Sequence, residues 1–370
     1  MVRVAIIGTG GMGKKYVKMI QANQIPFMKL TAAVARSETN QKFMQDTCGD
    51  DVLIVSSEDE LYEHTDMFDA VIIATPHRYH PEMGLRAMRS GKHVLLEKPI
   101  GVSVADCEEL LTTAEQSGLK FSVIFHQRAY PKYMAIKKLL DEDALGEIYR
   151  VMMENTRYFR TEHYHHSSSW RSSWNGEGGG ALINQGQHIL DMWQWLFGMP
   201  EAVRAEIAFG KYNDFDVDDE ATLFFQYPNH KTGIFLLTTG EGNYIERLEI
   251  SGSKGSLLLE EDTLTIHTYE PDLNTYRKEA GVNSREELHE TVLKKEFPLD
   301  TETHPVILEN FAKAIECGEP LLVEGADAIH ALELTNAAYL SAWKNETISF
   351  PLNRAAYQQE LEAHQKNEIH

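Results

Sequence analysis

The chain has 370 residues, 42% of them hydrophobic and 25% charged, which suits a globular protein of two domains. A formal net charge of −21 argues against nucleic acid as a partner, and no apolar run approaches the ~20 residues of a membrane span. Cys48, Cys107 and Cys317 stand far apart with no CxxC pair, a reducing-compartment pattern without a disulfide framework or zinc site. With a strand expected from Val2 there is no room for a signal peptide, and the cytoplasm is the expected location.

The apolar run Val2–Ile7 reads as a buried parallel strand. Gly8-Thr9-Gly10-Gly11-Met12-Gly13 follows, and then helical spacing from Lys14 to Gln24. Strand, glycine turn and helix form the context in which GxGxxG marks a dinucleotide site, with the pyrophosphate at the helix N-terminus. The second strand, Leu30–Ala35, ends at Arg36-Ser37 where an acid usually holds the adenosine ribose. Arginine and a hydroxyl suit a 2′-phosphate and favour NADP over NAD. The alternative is that Arg36 covers the adenine while Glu38 reaches the ribose.

Further strands are expected at Asp69–Ala74, His93–Leu96 and Lys120–Phe125, with helices at 81–90 and from a Ser103 cap through Glu115. This predicts a doubly wound parallel sheet over residues 1–126. Gly8, Thr75-Pro76-His77, Lys98 and His126 fall on its carboxyl edge, where ligands bind. Residues 127–370 are the expected second domain, for substrate binding and oligomerisation, with C-terminal helices free to pack back on the first. The second domain has strand-like runs at 149–154, 202–209, 221–227, 232–239, 244–250, 256–260 and 263–268, joined by turns into a mainly antiparallel, open sheet. A helix over 180–197 would place Asn184, His188 and Asp191 along one stripe. Residues 270–302 read as loop, 304–317 and 326–344 as helices, and the tail after Arg354 as a charged helix.

The motifs Gly8–Gly13, Ala74–His80, Glu97-Lys98-Pro99, Trp170–Trp174 and Gly178–His188, in this order, resemble the Gfo/Idh/MocA oxidoreductases over nearly the whole chain. The resemblance implies a Rossmann domain followed by an α/β domain with a large open sheet. It implies an NAD(P)-dependent enzyme acting on an alcohol carbon of a sugar, cyclitol or nucleotide-sugar. Lys98 matches the lysine that contacts substrate hydroxyl and nicotinamide ribose, Pro99 follows a cis peptide in relatives, and His188 matches the acid/base histidine. Asn184 stands where many inositol dehydrogenases have aspartate, as in the branch that reads Asn-Gln-x-x-His. Gly8, Thr9, Gly10, Gly11, Met12, Gly13, Arg36, Ser37, Thr75, Pro76, His77, His80, Glu97, Lys98 and Pro99 are the expected cofactor contacts.

The ring-rich segment 157–174 supplies the substrate candidates Arg157, His163, Arg171 and Trp174, beside Lys98, Asn184 and His188. His163, His165 and His166 lack a ligand spacing, so no metal is expected. A homodimer or homotetramer through the free face of the sheet is the expected assembly. Two other readings remain on the same residues: a cofactor-sensing regulator that has lost its chemistry, and a redox-assisted glycosidase.

Overall fold

A strand that is apolar at nearly every position needs cover on both faces. Val2–Ile7 (β1), buried everywhere except Arg3, finds it at the centre of a six-stranded parallel sheet. The other strands are Met28–Val34 (β2), Leu53–Val55 (β3), Ala70–Ile73 (β4), His93–Leu96 (β5) and Phe121–Val123 (β6), in the order β3-β2-β1-β4-β5-β6. The computed structural model describes residues 1–282, 288–298 and 302–369, which group into two units.

The first unit contains Met1–Ala129, Gly176–Gly178 and Glu302–Leu332. Its boundary therefore differs from the expected 1–126. Residues 302–332, part of the C-terminal stretch whose packing against the first domain the sequence leaves open, group here, because the amphipathic helix His304–Glu316 buries Ile307, Leu308 and Phe311 and contacts β1 and β5. The helix expected from a Ser103 cap starts later, at Glu108, after a 3-10 turn over Ala105–Cys107, and ends on left-handed Gly118 as its sequence suggests.

The second unit contains Tyr130–Asn175, Gly179–Thr301 and Glu333–His370. Ile148–Asn155 (β7), Ala202–Phe209 (β8), Asp218–Gln226 (β9), Thr232–Thr238 (β10), Glu246–Gly252 (β11), Gly255–Glu260 (β12), Thr263–Glu270 (β13), His289–Glu296 (β14) and Ile348–Ser349 (β15) form one sheet. Its order is β14-β13-β12-β11-β7-β10-β9-β8-β15, antiparallel except where β10 meets β7. Alternation gives it two unlike faces. Ala205, Leu223, Phe235, Met153, Leu248, Leu259 and Leu264 pair in register across it, all buried. Trp193, from the helix Gly186–Phe197, packs on this side against Phe225 and Phe235. On the other face the register row runs Phe224, Ile234, Met152, Glu249, Leu258, Thr265, each exposed or half-exposed.

The stretch 270–302 is not all loop. Asp272 caps a helix over Leu273–Glu279, accepting from the Asn274 and Thr275 amides, and β14 adds an edge strand whose eight residues are all exposed. Residues 283–287 and 299–301 of that stretch lie outside the described residues. No helix among the described residues is long and apolar enough to cross a membrane.

Candidate active site

Parallel register brings the ends of β1, β4 and β5 level: Ile7 pairs with Ile73, and Ile73 with Leu96. Gly8, Ala74-Thr75 and Glu97-Lys98 therefore leave the sheet at one edge. Gly8 sits at φ +98°, where a Cβ would lie 2.5 Å from the Ala74 carbonyl oxygen, and a Cβ on Gly13 would lie 1.9 Å from the Gly8 oxygen. These two glycines are required by the turn itself. Gly10 and Gly11 face open space. The helix Gly11–Gln21 starts there with no side-chain cap and no acidic residue in its first turn. No acidic side chain of that first turn competes for its N–H groups and positive dipole end, which fits a dinucleotide pyrophosphate. Thr9 is buried, its hydroxyl donating to Val34 O at 3.4 Å, and Met12 is half-buried.

At the end of β2, Ser37 caps the helix Glu38–Cys48, its Oγ accepting from Asn40 N at 3.2 Å. Arg36 is largely exposed and lies 3.6 Å from Glu58, whose carboxyl burial pushes above its usual range while Arg86 and Arg36 oppose the shift.

Next to the glycine turn, Pro76 starts a 3-10 turn over His77–Tyr79. Buried His77 faces Glu177 O at 3.2 Å through Nδ1. His80 is fully buried with both ring nitrogens on backbone carbonyls, Nδ1 at 2.7 Å from Pro99 O and Nε2 at 2.8 Å from Thr75 O. Burial lowers its pKa, and those two hydrogen bonds oppose the shift. His80 thereby ties the 75–80 turn to the Lys98–Pro99 turn, whose peptide is cis. Glu97 is buried. One of its oxygens accepts from the Tyr16 hydroxyl, the other from the Lys98 amide at 3.1 Å. Burial and the neighbouring Glu97 carboxylate push the Tyr16 phenol well up. Lys98 is half-exposed.

His126, after β6, stacks on His304 with ring centroids 3.9 Å apart. His304 meets Glu302 at 2.5 Å, and Lys15 lies 2.8 Å from Glu302. Burial, with His304 and Lys15 nearby, pushes His126 down to about 2. Sequence reading missed Tyr16, Glu302 and His304, since they belong to no motif and meet His126 and Glu97 only through the fold.

In the second unit, Asp218 organises the start of the Asn184–His188 segment. It accepts from Gly180 N and Leu182 N, both at 2.7 Å, and from the Tyr339 hydroxyl at 2.6 Å. A helical turn at Ala181–Asn184 then continues through Gln185 into Gly186–Phe197. Asn184 and His188 are half-exposed, while Leu182, Ile183, Gln185, Gly186, Gln187, Ile189 and Leu190 are buried, so the two share the open stripe. Asp191, expected beside them, is fully buried and accepts from Gln194 at 3.1 Å. Asn184 donates to the Tyr164 hydroxyl at 3.2 Å, as do Gln185 at 3.3 Å and Arg171 at 2.8 Å. Tyr164, which the sequence did not single out, is the junction between the catalytic-helix candidates and the preceding loop.

The substrate candidates separate in space. Arg157 ion-pairs with Glu246, which also takes Lys132 at 3.0 Å and the Tyr133 hydroxyl at 2.7 Å. Its charge is thus matched inside the unit, beside a cavity of about 40 Å³ lined by Tyr130, Lys132 and Asp262. His163 is exposed. Trp174 is 1% exposed, its indole N–H donating to Asp216 O at 3.0 Å and its ring edge-on to Tyr339 and Trp343. Among the described residues no group of His, Cys, Asp and Glu could hold a metal.

An open glycine turn at a parallel sheet edge, a lysine on the same edge, and an amide–histidine stripe on a helix are the parts of a nicotinamide-dependent oxidoreductase. Residues 2–125 match the family model described as "Oxidoreductase family, NAD-binding Rossmann fold", and residues 133–258 match the GFO/IDH/MocA C-terminal domain. The chain belongs to the GFO/IDH/MocA family, and its first unit is an NAD(P)-binding Rossmann domain.

It is 26% identical to inositol 2-dehydrogenase of Rhizobium meliloti (strain 1021), over 94% of this chain and 99% of that protein. It is 34% identical to scyllo-inositol 2-dehydrogenase (NADP(+)) IolW of Bacillus subtilis (strain 168), over 40% of each chain. The latter match thus spans well under two thirds of that relative. Among solved structures it resembles the WlbA dehydrogenase from Chromobactrium violaceum in complex with NADH and UDP-GlcNAcA. The TM-score is 0.79 at 23% identity, covering 95% of this chain and 96% of that one, a likeness of fold.

Proposed function

We propose that this protein is an NAD(P)-dependent dehydrogenase of a secondary alcohol on a sugar, cyclitol or nucleotide-sugar. When bound, the nicotinamide supplies the two-electron chemistry of hydride exchange. The chain's own residues orient the alcohol and handle its proton. Lys98 polarises the hydroxyl, because a nearby ammonium stabilises developing alkoxide charge. His188 exchanges the proton, since a neutral imidazole nitrogen can accept it. Asn184 orients the hydroxyl without titrating.

The observation that carries this reading is the open stripe of Asn184 and His188 on an otherwise buried helix segment. A binding role accounts for two polar groups left partly accessible on such a segment. Gly10, Gly11 and the turns around Thr75, His77 and Lys98 support cofactor binding. Ser37 and Arg36 support a preference for NADP, with Glu58 acting against it. Arg171 and His163 stay in the proposed substrate set, and Arg157 reaches it only with its Glu246 pair. Trp174 we leave out, because its ring is enclosed and its N–H already donates.

The half-exposed row Phe224, Ile234, Met152 and Leu258 supports a homodimer or homotetramer through the sheet of the second unit. Two buried free cysteines, Cys48 and Cys107, with exposed Cys317, are in keeping with a cytoplasmic protein.

The test is single-turnover hydride transfer at 340 nm across polyols, inositols and nucleotide-sugars with both cofactors. Reduced cofactor formed in step with a keto-sugar is the expected result. Glycoside cleavage without net reduction, or cofactor binding with no turnover on any alcohol, would overturn the proposal.

A further inference from the structure

Resting on that reading, we propose that the substrate carries an anionic group, a carboxylate or a phosphate, received by Arg160 where it lies with Arg171 over the Tyr164 ring. In a chain of net charge −21, the segment 156–175 holds three arginines and a single acid, Glu162. An anionic substrate would be repelled by the molecule at large and needs a locally basic place to land.

The three arginines differ in how their charge is used. Arg157 is matched by Glu246. Arg160 has no carboxylate partner among the described residues, and its buried Nε makes no hydrogen bond. One of its terminal nitrogens donates to the Phe159 carbonyl at 3.1 Å, which leaves its charge uncompensated. Glu162 is exposed, and the buried Asp219 accepts from the Lys211 and Tyr212 amides at 3.1 and 2.7 Å.

The guanidinium groups of Arg160 and Arg171 lie 4.7 and 4.6 Å from the centre of the same Tyr164 ring. Stacking on the ring holds Arg160 in place while leaving in-plane N–H donors for a ligand. The position is joined to the proposed chemistry through one atom: the Tyr164 hydroxyl accepts from Arg171, Asn184 and Gln185. An anion held here would sit one side chain away from Asn184. A guanidinium receives a carboxylate or phosphate through paired N–H donors, a geometry that neutral hydroxyls exploit less well.

Calorimetry on the cofactor-loaded full chain would use matched probes: glucose, glucuronate, glucose 6-phosphate and UDP-glucose. We expect at least one anionic probe to bind about 10-fold or more tightly than glucose at low salt, with the advantage shrinking as salt rises. The arms with glucuronate and the two phosphates distinguish the source of the charge. Arg160→Gln should erase the advantage, and Arg160→Lys, which keeps charge without the fork, should retain part of it.

Equal binding of neutral and anionic probes, or an undiminished preference in Arg160→Gln, would overturn the inference. A neutral polyol oxidised at least as efficiently as every anionic probe would do the same while leaving the dehydrogenase reading intact. Tight, Arg160-dependent anion binding with no hydride transfer would instead sink the dehydrogenase reading and keep this one.

Discussion

Lys98 and His188 differ in what a substitution should remove. Lys98→Met takes away a charge at a turn that Glu97, Tyr16 and His80 hold from behind. His188→Ala takes away a proton acceptor on a helix whose start Asp218 fixes. Each should lower single-turnover rates by about 10²–10⁴-fold, as expected for a positioned acid/base or polarising group, with cofactor affinity retained. Asn184→Ala should cost less. A near-parent rate in His188→Ala would remove it from the mechanism.

The proposed cofactor choice also rests on single residues. Glu58 lies 3.6 Å from Arg36 and, on the proposed reading, competes with a 2′-phosphate for its charge. Glu58→Gln should therefore raise the affinity for NADP relative to NAD, and Arg36→Ala should lower it. Calorimetric dissociation constants for both cofactors decide the point, and an unchanged ratio in both variants would show that neither residue meets the ribose.

Among the elements, the Asp218 cap is the most exposed to a conservative change. Asp218→Asn leaves one acceptor where two oxygens now serve Gly180, Leu182 and Tyr339. A buried amide without its partner costs about 1–3 kcal/mol, so a lower denaturant midpoint is expected. The Glu302 contacts with Lys15 and His304 depress that carboxyl to about 2, against a burial effect that acts in the other direction. A lowered carboxyl stabilises above its unfolded value near 4.5 and loses that contribution as pH falls towards 2. Glu302→Gln should thus be destabilising at pH 7 and neutral near pH 2. The difference should be on the order of 1 kcal/mol or less, because the side chain is about half exposed and screened.

These elements also mark what the sequence could tell. β1 with its glycine turn was legible because strand, Gly8–Gly13 and helix are contiguous. The second unit's strands were legible from their alternation. β14 was not: all its residues are exposed, so no alternation marks it. The roles of Tyr16, Tyr164 and Asp218 were hidden because each works through a partner 20 or more residues away. Trp174 looked like a sugar platform because aromatic residues serve cores and ligands equally, and only burial separates the two uses.

For the whole molecule, the proposed assembly rests on the sheet's open face. Phe224 is 43% exposed, and Ile234, Met152 and Leu258 continue the row. Light scattering should find a dimer or tetramer at micromolar concentration. Phe224→Glu with Leu258→Glu should shift it toward monomer, and a parent chain that is already monomeric would exclude the proposal.

The return of residues 302–332 to the first unit has a consequence for how the protein is made. At synthesis rates of about 5–20 residues per second, a ribosome needs roughly 9–35 s to travel from Ala129 to Glu302. Throughout that interval the nascent parallel sheet lacks the helix that places Ile307, Leu308 and Phe311 beside β1 and β5. The half-made cofactor domain therefore waits with an apolar flank uncovered, a natural client for a holdase. A gene cut at residue 129 would produce that waiting state permanently, and a transplantable cofactor module needs both segments stitched together.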